Sequence, residues 1–378
     1  MQEYQPYKNE NEESKEQHNE EQEHIDEECI SQEICDISKY KNRNVINSKY
    51  IFERKIGKGS FGCIHQGLNI MTQEKVAIKY EATTCEQPTL LWESKVLNHL
   101  SGIPGVVKLR YFGTESNKNI IVMDLFSHTL GQEVENLKKE YKIGIKNESE
   151  SESQSESEGE KKSENSSECD RHSNDDNDSD ENTECQIKNY KYYMKNILKY
   201  MITMFEIIER IHEKSVIHRD IKPENFMISI SKTKEGDVIK KLNIIDFGLS
   251  RIYIKENKHI PNKENSSIVG TLRYISTHIH EGNVYSRRDD IISILYVIIY
   301  LLKGSLPWCG LRVKPGDKKT KAEFVCEVKK TTPICNLCEG LPGIFERMLT
   351  YAYKIEFEEK PDYIYLKRLC KQGLSAYE

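Results

Sequence analysis

Val216-Ile217-His218-Arg219-Asp220-Ile221-Lys222-Pro223-Glu224-Asn225 is the stretch on which the reading of this chain turns. Asp220 is a carboxylate spaced to take the proton of an attacking hydroxyl as nucleophile and leaving group line up. Asn225, five residues on, offers an amide oxygen to a divalent ion. Lys222 offers a positive charge to a phosphoryl group in transfer. Further along, the apolar strand pattern Leu242-Asn243-Ile244-Ile245 ends in Asp246-Phe247-Gly248. The Asp246 carboxylate there suits Mg2+ bridging phosphate oxygens.

Upstream lies a glycine run, Gly57-Lys58-Gly59-Ser60-Phe61-Gly62. By itself it fits a plain glycine-rich hairpin or a dinucleotide site equally well. A dinucleotide site needs a helix opening at the last glycine, whereas the sequence continues as Cys63-Ile64-His65-Gln66-Gly67-Leu68, a strand pattern. A strand–turn–strand cover lets backbone amides lie over phosphates. Next comes Val76-Ala77-Ile78-Lys79, an apolar strand ending in a lysine that can reach α- and β-phosphate oxygens. Such a lysine is simply solvated unless an anion fixes it, and Glu93, in the helical pattern Leu90-Leu91-Trp92-Glu93-Ser94-Lys95, is the candidate. These four motifs, in this order, point to phosphoryl transfer from ATP with Mg2+. They leave the oxidoreductase reading without its βαβ unit. A binding scaffold that has lost catalysis is the remaining rival, yet Lys79, Asp220 and Asp246 are all retained.

Short β-type runs dominate from Tyr50 to Asp124, with one helical pattern, and helical periodicity dominates after about residue 186. The expected fold class is therefore α+β and bilobal: a small β-rich lobe with hinge over 46–126 and a larger helical lobe over 127–371. The apolar run Ile291–Leu302 is too short to span a bilayer and reads as a helix buried on all sides. Residues 1–45 form an acidic extension, about 145–185 an acidic Ser-rich insert, and 372–378 a short tail. The first and second of these are expected to be disordered for want of apolar surface. Residues 1–40 hold 13 acids against 3 bases and 148–184 hold 15 against 3, so a net charge of −6 leaves the remainder strongly basic. The insert either folds back on a basic cleft as a tethered competitor or is an inert insertion. Eleven scattered cysteines and no basic–apolar leader suit a reduced compartment, cytoplasmic or nuclear. The lone Cys335-x-x-Cys338 pair is read as two ordinary thiols.

The chain resembles the casein kinase I family of protein serine/threonine kinases over residues from about 50 to 371. The motifs that carry this are IGKGSFG, LLWESK, SGIPGVVKLRYFG, IVMDLF, HRDIKPENF, LNIIDFGLS, GTLRYIS, YSRRDD, GSLPWCGL and FEEKPDYIYLKRL. The resemblance implies the bilobal eukaryotic protein kinase fold and transfer of the ATP γ-phosphoryl group to serine or threonine in acidic or prephosphorylated proteins. It implies Asp220, Lys222, Lys79, Glu93 and Thr271 as catalytic residues, and Asn225 and Asp246 as metal ligands. ATP would be held by Ile56, Gly57, Lys58, Gly59, Ser60, Phe61, Gly62, Ile64, Ala77 and Lys79, with Met123, Asp124, Leu125 and Phe126 forming gatekeeper and hinge. Asp290 would hold the backbone of the 218–220 loop. Arg273 and Lys321 would meet the anionic substrate, with Lys318 and Lys319 adding charge or remaining a solvated loop. No nucleic acid partner and no membrane anchor are implied, and the expected state is a soluble monomer. Where the family carries Ser-Ile-Asn, this chain has Ser276-Thr277-His278, which puts the packing behind the substrate loop in question.

Overall fold

Alternating apolar residues build the first layer. In a computed structural model, which describes residues 45–59, 62–86, 88–140, 177–262, 267–312 and 319–378, these runs form one antiparallel sheet. Its strands are β1 (Val45–Ile46), β2 (Tyr50–Gly59), β3 (Gly62–Asn69), β4 (Lys75–Ala82), β5 (Leu109–Glu115) and β6 (Lys118–Asp124), in the order β1-β2-β3-β4-β6-β5. Val76 and Ile78 on β4 and Ile120 and Val122 on β6 fill one face, while Ala77, Ile121 and Met123 face the other way, into the main core. The period of two thus splits each strand between two cores. Strand β5 was not apparent in the sequence, because Leu109–Glu115 mixes polar residues and a glycine and is only half-buried.

Helix α1 (Leu90–His99) crosses β5 and β6. Its Ncap, Thr89, makes no side-chain cap bond. The cap comes from β4 instead: the buried Glu81 carboxylate accepts from the Thr89 amide (3.0 Å) and the Leu90 amide (3.2 Å). Glu81 lies two residues beyond Lys79 on the same strand, so the two side chains share a face and both reach α1.

The second lobe begins with β7 (His128–Thr129) and α2 over 130–140. Helix α3 (Asn177–Glu213) follows, then β8 (Val216–Ile217), β9 (Phe226–Lys232) and β10 (Val238–Ile244). Short strands β11 (Arg251–Ile252), β12 (Ile254–Lys255) and β13 (Lys258–His259) precede α4 (Thr277–His280), α5 (Arg287–Lys303), α6 (Lys321–Thr331), α7 (Ile334–Leu337), α8 (Ile344–Lys354) and α9 (Tyr363–Ser375). Every residue of α5 from Ile291 to Ile299 is buried, as its apolar run required, and so are the polar Arg288, Asp289 and Asp290 at its start. Gly304, at φ 76°, ends it in the left-handed conformation that glycine adopts without strain. The fold is the expected bilobal α+β one. Residues 1–44 of the N-terminal extension and the insert up to residue 176 lie outside the described residues, and the helical backbone of α3 starts at Asn177, within the stretch assigned to the insert. Extending an existing helix adds one hydrogen bond per residue and needs no apolar face of its own. Among the described residues no helix is long and apolar enough to cross a membrane.

Candidate active site

Strand β4 delivers Lys79 and α1 delivers Glu93, and the two meet at 2.8 Å. The Lys79 ammonium also reaches Asp246 Oδ1 at 2.8 Å. Glu93 is fully buried, and its second oxygen accepts from the Phe247 amide at 3.3 Å. Burial opposes the charge on Lys79, but the Glu93 and Asp246 carboxylates outweigh it and hold the ammonium above its ordinary range. Burial likewise pushes the Asp246 carboxyl up, and Lys79 outweighs that and holds it below its ordinary value. Burial pushes the Glu93 carboxyl up against the pull of Lys79, so this pair depends on its partner being present.

The 216–225 loop is fixed from beneath. Asp290, on the buried helix α5, accepts from the His218 amide (2.8 Å) and the Arg219 amide (3.0 Å), and His212 of α3 bonds the same carboxylate at 3.0 Å. Arg219 has φ 68° and Asp246 φ 66°, conformations that cost a non-glycine residue free energy and persist where surroundings impose them. Asp220 is then oriented by three donors. Thr271 Oγ1 donates to Oδ1 (2.8 Å), Lys222 forms an ion pair with Oδ2, and Asn225 Nδ2 donates to Oδ2 (3.3 Å). Gly270 makes the first of these possible. Its φ is +92°, and a Cβ there would stand 2.4 Å from the Arg219 carbonyl oxygen, so only glycine lets Thr271 come down onto the loop.

Between the lobes lies a cleft of about 450 Å³. Ile56, Gly57, Ile64 and Ala77 line its roof, and Met123, Asp124, Leu125 and Phe126 its hinge. Lys79, Asn225, Lys222 and Asp246 close its polar end. Gly62 begins β3, where a Cβ would meet the Tyr80 carbonyl oxygen at 2.1 Å. Lys58 and Gly59 belong to β2, while Ser60 and Phe61 lie outside the described residues. Met227 and Ile245, which complete the apolar floor, were not singled out from sequence. Met227 is the second residue of β9, two after Asn225, and Ile245 immediately precedes Asp246, so nearness in sequence to the metal-ligand candidates carried the signal.

The polar end suits a hard cation. Asn225 turns its amide nitrogen to the Asp220 carbonyl (2.8 Å), which directs its side-chain oxygen away from that bond. With the Asp246 carboxylate this gives two oxygen donors in the cleft, the type of set that Mg2+ takes when phosphate oxygens complete its shell. Among the described residues no three His, Cys, Asp or Glu side chains converge to hold a metal without such help. Cys335 and Cys338 are free, the first exposed and the second buried, with its thiol pushed up to about 11 by burial.

The residues just after Gly248 are tied by their main chain to both lobes. Arg219 Nε donates to the Leu249 carbonyl (2.5 Å), and the Trp92 indole donates from α1 to the Ser250 carbonyl (2.9 Å). Arg273 lies 4.9 Å over the Tyr300 ring. Lys321 opens α6 exposed to solvent, Lys319 is paired with Glu327 (2.8 Å), and Lys318 lies outside the described residues. The departure at Ser276-Thr277-His278 is absorbed locally. Ser276 caps α4 and donates to the buried Asp289 carboxylate at 2.6 Å, while the His278 ring sits 5.7 Å from that of Tyr353. Burial lowers the His278 imidazole to about 4, and its buried Nε2 has no partner. Because this depressed value favours the neutral ring in the fold, the folded state loses stability as pH falls from about 6.5 towards 4. His278→Asn should remove that loss. Screened by partial exposure, the gain over the wild type at pH 5 should be about 1 kcal/mol, or ~2–4 °C in Tm, and should vanish at pH 7.5. Equal Tm differences at both pH values would refute the assignment.

The sequence family model for the protein kinase domain matches residues 176–349, from the start of α3 through the Asp220 loop, Asp246 and α5 into α8. Over those residues the chain is similar to the protein kinase domain, and the interlobe cleft with the Lys79–Asp246 pair and the Asp220 cluster is consistent with that domain's bilobal fold.

Proposed function

We propose that this chain is a serine/threonine protein kinase of the casein kinase I type, which transfers the γ-phosphoryl group of ATP to serine or threonine in acidic or prephosphorylated proteins. The observation that carries the reading is the convergence of Lys222 and Thr271 on the two oxygens of Asp220. A lysine two residues after that aspartate is typical of serine/threonine phosphorylation, as the family resemblance has it.

In this reading the purine lies between Ala77 and Met227 against the hinge, and Lys79, fixed by Glu93, holds phosphate oxygens. Mg2+ held by Asp246 and Asn225 would neutralise charge on the phosphates. Asp220 accepts the proton of the acceptor hydroxyl, and its position is set by Thr271 and by the Asp290-held backbone. Lys222, already beside Asp220, offsets charge on the phosphoryl oxygens. Little covalent chemistry is asked of the protein, so fixed geometry and charge supply most of the rate. The backbone ties from Arg219 and Trp92 favour activity without phosphorylation of the activation segment. Arg273, and Lys321 at the start of α6, favour an anionic acceptor.

The test is label transfer from γ-labelled ATP to three peptides: a serine peptide with an acidic or phosphorylated residue upstream, its neutral counterpart and a tyrosine counterpart. The first should be preferred, and Arg273→Ala should raise its KM about tenfold, the size of a lost charge-assisted contact. Labelling of tyrosine alone, or equal use of acidic and neutral serine peptides, would reject the proposal.

A further inference from the structure

Lys329 is a buried lysine with no acid beside it. It lies on α6 at 5 % exposure, and among the described residues it takes part in no ion pair. Its ammonium donates to two main-chain carbonyls of one turn, Leu272 (2.8 Å) and Ile275 (2.5 Å). Two aromatic faces enclose it, Tyr296 at 5.2 Å and Trp308 at 5.1 Å. Trp308 in turn donates its indole N–H to the Arg273 carbonyl at 2.8 Å. Three of the four carbonyls from Leu272 to Ile275 are therefore taken from the interior by a single lysine–tryptophan pair.

Such a site is unfavourable for folding alone. A charge buried without a counter-ion is costly, and a methionine would fill the same apolar slot at no electrostatic penalty. Burial accordingly pulls the ammonium down to about 7, while two carbonyls and two ring faces favour its charged form. What the lysine supplies and a methionine does not is a pair of donors that lock the 271–276 turn. That turn carries two outward-acting groups: the Thr271 hydroxyl on Asp220, and the Arg273 guanidinium against Tyr300. Its own internal bonds are few, the Tyr274 and Ile275 amides both donating to the Thr271 carbonyl at 2.8 and 3.2 Å.

We infer that Lys329 is a positioning residue for the acceptor substrate, holding the carbonyls of Leu272 and Ile275 from below so that Arg273 keeps its place against Tyr300. It touches neither nucleotide nor acceptor. The inference rests on the protein-kinase reading above for its kinetic part and on the turn's geometry alone for its structural part.

The experiment compares full-length wild type with Lys329→Met and Lys329→Arg. For Lys329→Met, peptide KM should rise about tenfold, the worth of the lost charge-assisted bonds. The KM for ATP should stay unchanged and kcat should remain within about threefold, because the nucleotide site and Asp220 keep their own supports. Hydrogen exchange at the Tyr274 and Ile275 amides should quicken while the β4 and α5 amides stay protected. Lys329→Arg, which can again donate to both carbonyls and stack on the rings, should recover most of the peptide KM. A merely structural residue would instead lower Tm, kcat and both KM terms together, with no recovery by arginine, and that pattern overturns the inference. An unchanged peptide KM in an active Lys329→Met enzyme overturns it too. If the wild type labels no peptide, it is the kinase reading that falls. Exchange at Tyr274 and Ile275 then decides the positioning role by itself, and unchanged rates sink it.

Discussion

Asp220→Asn should lower phosphoryl transfer by about a thousandfold, within the range lost when a positioned general base is removed. The carboxylate takes bonds from Thr271 on one oxygen and from Lys222 and Asn225 on the other. An amide in its place has one accepting oxygen and an NH2 that must face a donor, so the acceptor hydroxyl loses its base and the cluster loses its alignment. The fold should survive, because Asp290 holds the loop through the His218 and Arg219 amides and not through Asp220. Single-turnover labelling would report the loss, while nucleotide binding measured by calorimetry should stay within about twofold of the wild type. Wild-type turnover by the variant would remove Asp220 from the mechanism. Equal inactivity of both proteins, with nucleotide still bound, would favour the scaffold reading.

Lys79→Met should strike both activity and stability. The lysine bridges a fully buried Glu93 and the Asp246 carboxylate, each at 2.8 Å. Removing one partner of a buried pair costs about 3–5 kcal/mol when the other charge is stranded, but burial already pushes the Glu93 carboxyl up and it can neutralise by taking a proton. A loss nearer ~2 kcal/mol, or roughly 4–8 °C in Tm, is therefore expected. Catalysis should fall by about a hundredfold or more, because the phosphate oxygens lose their positive partner and Asp246 loses the charge that holds it ionised. The companion Glu93→Gln should be milder, since an amide can still accept from Lys79. If Glu93→Gln instead proves as inactive as Lys79→Met, the carboxylate's charge matters more than its position.

The reading of the chain was secure where chemistry demands fixed residue types at fixed spacing. Lys79, Glu93, Asp220, Lys222, Asn225 and Asp246 were named from their motifs and Thr271 from the resemblance; Lys79, Glu93, Lys222, Asn225 and Asp246 line one cleft, and Asp220 and Thr271 join them through Lys222 and Asn225. Helix α5 was legible because an apolar run interrupted only by Ser293 has only one stable place, the centre of the larger lobe. Strand β5 was not, since a half-buried strand with a glycine shows no clean period of two. Glu81 was also invisible: capping α1 from β4 is a contact between elements eight residues apart in sequence but set face to face only by the sheet. Ser276-Thr277-His278 was seen as a departure, while its accommodation by Asp289 and Tyr353 could not be, because those partners come from α5 and α8.

By itself the sequence determined the fold class, the order of the lobes and the candidate site residues, because side-chain chemistry and local periodicity are written residue by residue. Only the tertiary structure decided which main-chain groups those side chains hold. The Lys329 and Trp308 bonds beneath the Arg273 turn and the Asp290 clamp on the loop at 218–219 each join segments tens of residues apart. A backbone carbonyl carries no residue identity, so nothing in the order of amino acids announces which lysine it will meet.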